Sequence, residues 1–351
     1  MPIESMTPRE RWDAVLSHKK PDRVPMDYSA TPEATESILR YTQSATLNDF
    51  FKKMHIDCPV SAGPKYIGPA LPAGVNYFGV GTREMEYSGG AYTEFVSFPL
   101  AAYTSVDEIE DNYTFPTADW FDFSVLKRQV EGKLHRPVAL GGTHYFIDYM
   151  RLSGDERAYM DLIEYPDIVD YCLSKLCDFY YEMTARSFES LPAGTITTVS
   201  FGEDMGSEID LLMSRGHFRR FIWPRLKRVG DLVHESGAKV YVHSDGAIAK
   251  IIPDFLDMGA DVLDPVQWRL PGMAPETLKA GYGGRLAFHG AVDNQKTMPF
   301  GAAEDVREEV RRLISTLKED YILGPCHAIQ PVSPPENTIA LYEEGWRSGW
   351  F

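Results

Sequence analysis

With 351 residues and 44% hydrophobic content, the chain is long enough to bury a large core, either as one big α/β domain or as two smaller ones. Its 35 basic and 51 acidic residues leave a formal charge of -16, which disfavours non-specific contact with nucleic acid or with an anionic membrane surface. The stretch from Met1 to Arg11 holds no apolar core of signal-peptide length, and no later run reaches the roughly 20 apolar residues that span a bilayer. A cytoplasmic protein without a nucleic-acid or membrane partner is therefore expected. Four cysteines, Cys58, Cys172, Cys177 and Cys326, are too scattered for a disulfide framework. Cys172 and Cys177 lie in a helical stretch and read as core packing.

In chain order, the first helix opens at Thr7-Pro8-Arg9-Glu10, where Thr7 suits the N-cap, Pro8 the first turn and Glu10 the return bond of a capping box. Trp12, Val15 and Leu16 then recur at helical spacing. Arg23 to Tyr28 reads as a strand. From about Pro64 to Trp120 the sequence is irregular, aromatic and Gly-rich, with Tyr77-Phe78-Gly79-Val80 and Tyr87-Ser88-Gly89-Gly90 marking turns and short strands.

From Pro137 onward the pattern is regular. Strands are expected at Pro137 to Gly141, Thr195 to Phe201, Lys239 to His243, Val262 to Val266, Arg285 to Gly290 and Tyr321 to Gly324. Helices are expected across Asp155 to Leu191, Phe218 to Ser236, Ile248 to Met258, near Pro275, across Ala303 to Lys318 and from Pro335. No linker or low-complexity segment divides residues 1–351, so a single domain is expected. Repeated βα units imply a closed (β/α)8 TIM barrel or an open doubly wound sheet. No G-x-G-x-x-G or G-x-x-x-x-G-K-[ST] loop occurs, which favours the barrel with an irregular N-terminal elaboration.

Barrel enzymes place their chemistry at the C-terminal ends of the strands, and polar residues gather there. Glu203 and Asp204 end one predicted strand, His243 and Asp245 the next, Asp264 and Gln267 another, His289 and Asp293 a fourth, and Cys326, His327 and Gln330 the last. Each also has an ordinary structural role open to it, such as capping a turn or satisfying loop backbone. His243 and Asp245 share one face of a strand because side chains alternate, and with the Cys326 thiolate they offer a nitrogen, a carboxylate and a sulfur for zinc.

The same runs carry a resemblance. Ser-Phe-Gly-Glu203-Asp204-Met-Gly, Val-His243-Ser-Asp245-Gly246, Leu-Asp264-Pro-Val-Gln267, Phe-His289-Gly-Ala-Val-Asp293 and Gly-Pro-Cys326-His327-Ala-Ile-Gln330-Pro-Val-Ser-Pro-Pro-Glu-Asn337 resemble the uroporphyrinogen decarboxylase superfamily. So does the opening Met-Thr7-Pro-Arg-Glu-Arg-Trp. The resemblance implies a (β/α)8 barrel and one of two chemistries, cofactor-free decarboxylation of a porphyrinogen or zinc-dependent methyl transfer to or from a corrinoid protein. The decarboxylases carry an N-terminal Arg-Gln-Ala-Gly-Arg stretch that grips substrate carboxylates, whereas this chain reads Met26-Asp27-Tyr28-Ser-Ala-Thr-Pro-Glu. The methyltransferases hold zinc with His-x-Cys and a distant second Cys. His243 and Cys326 fit that pattern, and Asp245 stands where the first Cys would be.

A carboxylate oxygen makes the site harder and suits it to polarising an oxygen substrate. The expectation is zinc on His243, Asp245 and Cys326, with Glu203 as a further ligand, and methyl transfer from a methoxylated compound, an aryl methyl ether, to the cobalt of a separate corrinoid (cobalamin) protein. The cofactor comes from a partner because no Asp-x-His-x-x-Gly stretch is present. His289, His327 and Asp204 are the expected catalytic groups. Tyr28, Tyr145, Phe146, Gln267 and Gln330 are the expected substrate contacts. The open alternatives are a carboxy-lyase acting on a smaller acid and a non-catalytic tetrapyrrole-binding barrel. Trp346 and Trp350 are candidate contacts for a homo-oligomer.

Overall fold

The Pro8–Leu16 helix begins as its sequence dictates. Thr7 Oγ1 accepts from Glu10 N (3.2 Å), and the Glu10 carboxylate accepts from Thr7 N (2.7 Å). A computed structural model describes residues 3–87 and 90–351. The buried face of this helix, Trp12, Val15 and Leu16, packs against Val262, Ala287 and Ile322 as a small cluster separate from the main core. The helix thus plugs one end of a curled sheet.

That sheet has seven parallel strands in sequential order: β1 (Val60–Ala62), β2 (Val138–Thr143), β3 (Thr198–Gly202), β4 (Lys239–His243), β5 (Ala260–Asp264), β6 (Ala287–Val292) and β7 (Tyr321–Pro325). Helices between consecutive strands cover its outer face, and Val199, Phe201, Val240, Val242, Leu263 and Phe288 belong to the main core there. The expected strand Arg23 to Tyr28 is an extended segment that bridges the sheet's two edges. Asp27 N donates to Leu323 O of β7 (2.7 Å) and Leu323 N to Pro25 O (2.9 Å), while Asp57 N, ahead of β1, donates to Met26 O (2.7 Å). The expected eight-stranded barrel is met here as seven parallel strands and this bridging segment.

Element boundaries shift by a few residues from the sequence reading, and several elements go beyond it, among them helices Val106–Asn112, Val125–Val130 and Tyr145–Ser153. Helices Pro32–Thr42 and Leu47–Met54 and strand β1 fill a stretch for which no element was expected, both helices opening on threonine caps, Thr31 and Thr46. The expected helix from Phe218 divides into a π turn at Phe218–Ile222 and an α-helix at Trp223–Glu235, with Pro224 in its first turn. The turn at Tyr87 to Gly90 falls on Ser88 and Gly89, outside the described residues; antiparallel strands Gly81–Tyr87 and Gly90–Ser97 flank it. Trp346 and Trp350 are only partly exposed, and Trp346 stacks on His55 with ring centroids 3.5 Å apart. Cys172 and Cys177 lie in the core. Among the described residues no helix is long and apolar enough to cross a membrane.

Buried charge ties the plug to the bridging segment. Asp57 accepts from Arg11 Nη1 (2.9 Å), Arg23 Nη1 (2.7 Å) and Met26 N (3.0 Å), and Arg11 also holds Asp22 through Nε (2.6 Å) and Nη2 (3.0 Å). Burial alone would raise the Asp22 carboxyl, but Arg11 and the Ser5 and Met6 amides bring it down to about 2. A carboxylate depressed by folding stabilises the fold above its unfolded value of about 3.9 and loses that contribution as pH falls toward about 2. Urea titrations at about pH 5, 3 and 2 should show wild-type stability falling more steeply than that of Asp22→Asn. Parallel decline of the two proteins would mean that Asp22 contributes nothing to the acid sensitivity.

Candidate metal centre

Register brings the polar strand ends together. His243 pairs with Asp264 across β4 and β5, and Phe288 pairs with Leu263 across β5 and β6, so His289 lies beside Asp264. Asp264 accepts from both imidazoles, His243 Nδ1 to Oδ2 and His289 Nδ1 to Oδ1, each at 2.6 Å. The second ring nitrogen of His289 meets Asp27 Oδ2 at 3.0 Å. A chain Asp27–His289–Asp264–His243 therefore crosses the interior from the bridging segment to β4. Trp12 from the plug and Tyr241 from β4 pack against His289, with ring centroids at 6.1 and 5.3 Å.

The protonation states follow from this chain. Burial pulls both imidazoles down, yet Asp264, helped by Asp245 and Asp204, holds His243 at about 9, and Asp264 with Asp27 holds His289 at about 10. Burial would raise Asp264, but the two histidines keep it well below the usual carboxylate range. With its Nδ1 engaged by Asp264, His243 turns Nε2 toward the strand ends, 3.6 Å from Asp204 Oδ1. A carboxylate behind a histidine fixes the ring and its tautomer, the arrangement that supports metal-ligating histidines.

One atom each from His243, Asp245 and His327 lies within 4.8 Å of the others. Asp245 is placed by backbone contact. The loops after β3 and β4 approach so closely at Gly206 and Gly246 that a Cβ on Gly246 would lie 2.2 Å from the Gly206 carbonyl carbon, and Gly246 has φ +98°. Asp245 N donates to Asp204 Oδ1 (3.2 Å) and Gly246 N to Gln267 Oε1. Asp245 Oδ1 is buried with no hydrogen-bond partner among the described residues, the condition of an oxygen suited to meet a cation. Burial raises this carboxyl, and Asp204 and Asp264 add to the effect against the pull of His243 and His327.

A cavity of about 330 Å³ opens beside this group, lined by Asp245, Gln267, Cys326, His327 and Gln330 among others. Of the expected ligands, the structure brings His243 and Asp245 together and adds His327, expected as a catalytic group, to their cluster. Cys326 is set in the cavity wall, its thiol 3.8 Å from Val266 O and pushed up by burial, with Asp264 and Asp245 adding to the shift. Glu203 faces elsewhere: its carboxylate accepts from the first amides of the Tyr145–Ser153 helix, including Phe146 N at 3.1 Å, the role of an N-terminal cap. Burial raises this carboxyl well above its usual range, and those amides oppose the shift.

Tyr145 and Phe146 open that helix, are fully buried, and do not line the cavity. Tyr28 packs against Phe50, Phe51 and Tyr342, and its hydroxyl pairs with Thr35 at 3.1 Å. His289 is sealed below the cavity, while Asp204 keeps 45% of its side chain exposed beside His243. Asp27 was not foreseen, although it lies near the end of the segment read as the first strand.

A curled parallel sheet with a polar pocket at its C-terminal strand ends defines an α/β protein of the barrel-enzyme kind. Residues 124–345, more than half of the chain, match the family described as Uroporphyrinogen decarboxylase (URO-D). The chain belongs to that family. Among solved structures it is similar to a methyltransferase from Methanosarcina mazei at 17% identity and a TM-score of 0.69, over 98% of this chain and 99% of that one. A B12-independent methionine synthase from Shewanella sp. W3-18-1 matches at 10% identity and a TM-score of 0.46, over 93% of this chain and 97% of that one. The first likeness supports the fold across the whole chain. A search of the curated proteins finds no match to the sequence.

Removing Asp264 should leave one buried and one half-buried imidazolium, those of His289 and His243, without their shared partner. At neutral pH, in metal-free protein, Asp264→Asn is expected to cost about 3–5 kcal/mol in denaturant unfolding. Both histidines are raised by folding, so this stabilisation is complete below the unfolded value of about 6.5 and fades as pH rises through about 9 and 10. The gap between wild type and variant should narrow accordingly. A constant gap from pH ~6 to ~10 would assign the loss to packing instead.

Proposed function

We propose that the chain is a methyltransferase that moves a methyl group from a methoxylated compound, an aryl methyl ether, to the cobalt of a corrinoid held by a separate protein. The observation that carries this reading is the group His243, Asp245 and His327, with ligand atoms within 4.8 Å of one another and His243 braced from behind by Asp264. Nitrogen and carboxylate donors suit zinc or another borderline divalent ion, and the partnerless Asp245 Oδ1 fits a cation. Cys326, in the wall of the same cavity, is the sulfur ligand that this reading adds. On the same reading the bridging segment Arg23 to Tyr28 takes the place of the eighth strand of a (β/α)8 barrel, and residues 1–351 act as a single domain.

When bound there, the ion supplies Lewis acidity toward a substrate oxygen. The protein's own groups bind and orient. Gln267 and Gln330 line the cavity and offer amide hydrogens to substrate oxygens. The partner's reduced corrinoid would supply the electron pair that accepts the methyl group, and the substrate oxygen would keep the pair of the broken methyl–oxygen bond. Asp204, exposed and 3.6 Å from His243 Nε2, lies beside the cluster, where it can orient the substrate or a water. His289, sealed between two carboxylates, holds the site in shape and does not reach the substrate. Decarboxylation of a multiply carboxylated substrate is disfavoured because Asp27 turns a carboxylate inward toward His289, in the stretch where the family's decarboxylases carry their arginine clamp.

The test is metal content by plasma mass spectrometry, with methyl transfer from methoxybenzenes to reduced cobalamin measured alongside. Near-stoichiometric zinc in the wild type is expected, with loss in His243→Ala and His327→Ala and weaker retention in Cys326→Ala. Transfer should fall at least about 100-fold in whichever variants lose the metal, and a chelator should reproduce that loss. Wild-type protein that stays metal-free after zinc is offered would sink the mechanism.

A further inference from the structure

Beside the metal cluster, the cavity contains a second device whose parts are buried and whose product is one oriented guanidinium. Arg269 is the only Lys or Arg among the residues lining the cavity. Its Nε donates to Asp293 Oδ2 (2.5 Å), its Nη2 donates to Thr297 Oγ1 (3.0 Å), and its plane lies over Trp268 with Cζ 4.2 Å from the ring centroid. Those partners are themselves held. Glu309 accepts from Asp293 N (2.7 Å), Thr297 Oγ1 (2.6 Å) and Trp268 Nε1 (3.1 Å), and Asp293 Oδ1 accepts from Gln295 N (3.0 Å). Asp293, Thr297 and Glu309 are all buried, whereas 34% of the Arg269 side chain is exposed.

Burying this many polar groups is costly unless each is paired, and here each pairing also fixes the arginine. Two of its three nitrogens are used; Nη1 has no protein acceptor among the described residues. A fixed, partly exposed guanidinium with an unused nitrogen at a small-molecule cavity is the arrangement that reads an oxyanion. The rest of the wall adds neutral amides, Gln267, Asn294, Gln295 and Gln330. A cationic ligand finds no free aromatic face, since the Trp268 ring already carries Arg269 and Arg312, the latter with Cζ 4.3 Å from its centroid.

We propose that Arg269 is a specificity-determining residue and that the compound taken into this cavity carries an anionic oxygen group, a carboxylate or its equivalent, which Arg269 binds. The proposal rests on the methyltransferase reading only for the place of the reacting methoxyl group. A cavity of about 330 Å³ is at the small end of ligand sites and suits a single-ring compound. Ammonium substrates are excluded by the same arginine that selects the acid.

The experiment is isothermal titration of full-length protein with three probes of one shape: 4-methoxybenzoate, neutral 4-methoxybenzyl alcohol and cationic 4-methoxybenzylamine. In wild type the benzoate should bind roughly 10- to 100-fold more tightly than the alcohol, and the amine most weakly. Arg269→Gln should reduce the preference to within about twofold while alcohol binding stays unchanged, and Arg269→Lys should restore part of it. If Arg269→Gln is poorly folded by its melting curve, Arg269→Lys still decides, because it keeps the charge and loses the fork. Equal affinities for the three probes, absence of benzoate binding, or a preference that survives both substitutions overturns the proposal. Methyl transfer is scored separately. Arg269-dependent benzoate binding without transfer to reduced cobalamin counts against the methyltransferase reading alone, and transfer without charge preference counts against this inference alone.

Discussion

The carboxylate of Asp264 is the joint on which the site depends. It holds one oxygen on His243 and the other on His289, each at 2.6 Å, and His289 passes the connection to Asp27. Three strands and the bridging segment must therefore be in their observed register at once, because a one-residue slip would turn any of these side chains to the opposite face. The plug helix makes the floor dry: Trp12 packs beneath His289, and its neighbours Val15 and Leu16 join Val262, Ala287 and Ile322. In such surroundings the Asp264 hydrogen bonds are strong and an unpaired partner is expensive, so the chain rigidifies the ring that faces the cavity.

The bridging segment links the stabilising network to the site. At the end where the strands begin, Asp57 gathers Arg11, Arg23 and the Met26 amide, a network that fastens the plug and the bridging segment to the entry of β1. Asp27, the next residue after Met26, turns inward to His289. A segment too short and irregular to form a ladder thus serves both stability and the site. Its hydrogen bonds to Leu323 and from Asp57 hold it between β7 and the entry of β1.

Much of this was legible in the sequence, for identifiable reasons. Alternation along β4 places His243 and Asp245 on one side, and the rule that barrel chemistry collects at strand ends selected Asp264, His289, Gln267, His327 and Gln330. The same rule applied to Arg23–Tyr28 would have selected Asp27. It fails at Glu203 because strand-end position does not reveal a neighbouring helix; Thr143 pairs with Phe201, which brings the start of the Tyr145–Ser153 helix over Glu203 and claims its oxygens. Cys326 and His327 could not be ranked from sequence, since past the end of β7 the alternation stops and adjacent side chains diverge. The helices at Pro32–Thr42 and Leu47–Met54 carry both threonine caps and an amphipathic pattern, so their signals were present in the sequence between Tyr28 and Pro64.

Charge gives a further reason for reading the cluster as a metal centre. Asp27, Asp264, Asp245 and Asp204 converge on the mouth and interior, and the imidazoles that face them are those of His243 and His289, with His327 at the rim 3.9 Å from Asp245. Acidic side chains thus outnumber basic ones in a partly desolvated site on an acidic chain. Such a surplus raises the affinity of the site for a divalent cation. Asp245 contributes both to the surplus and, as an oxygen donor, to the hardness of the cluster. Arg269, with its unused Nη1, stands in the wall of the same cavity, and a substrate offering one oxygen to the cation and an oxyanion to the arginine would meet a positive charge at each.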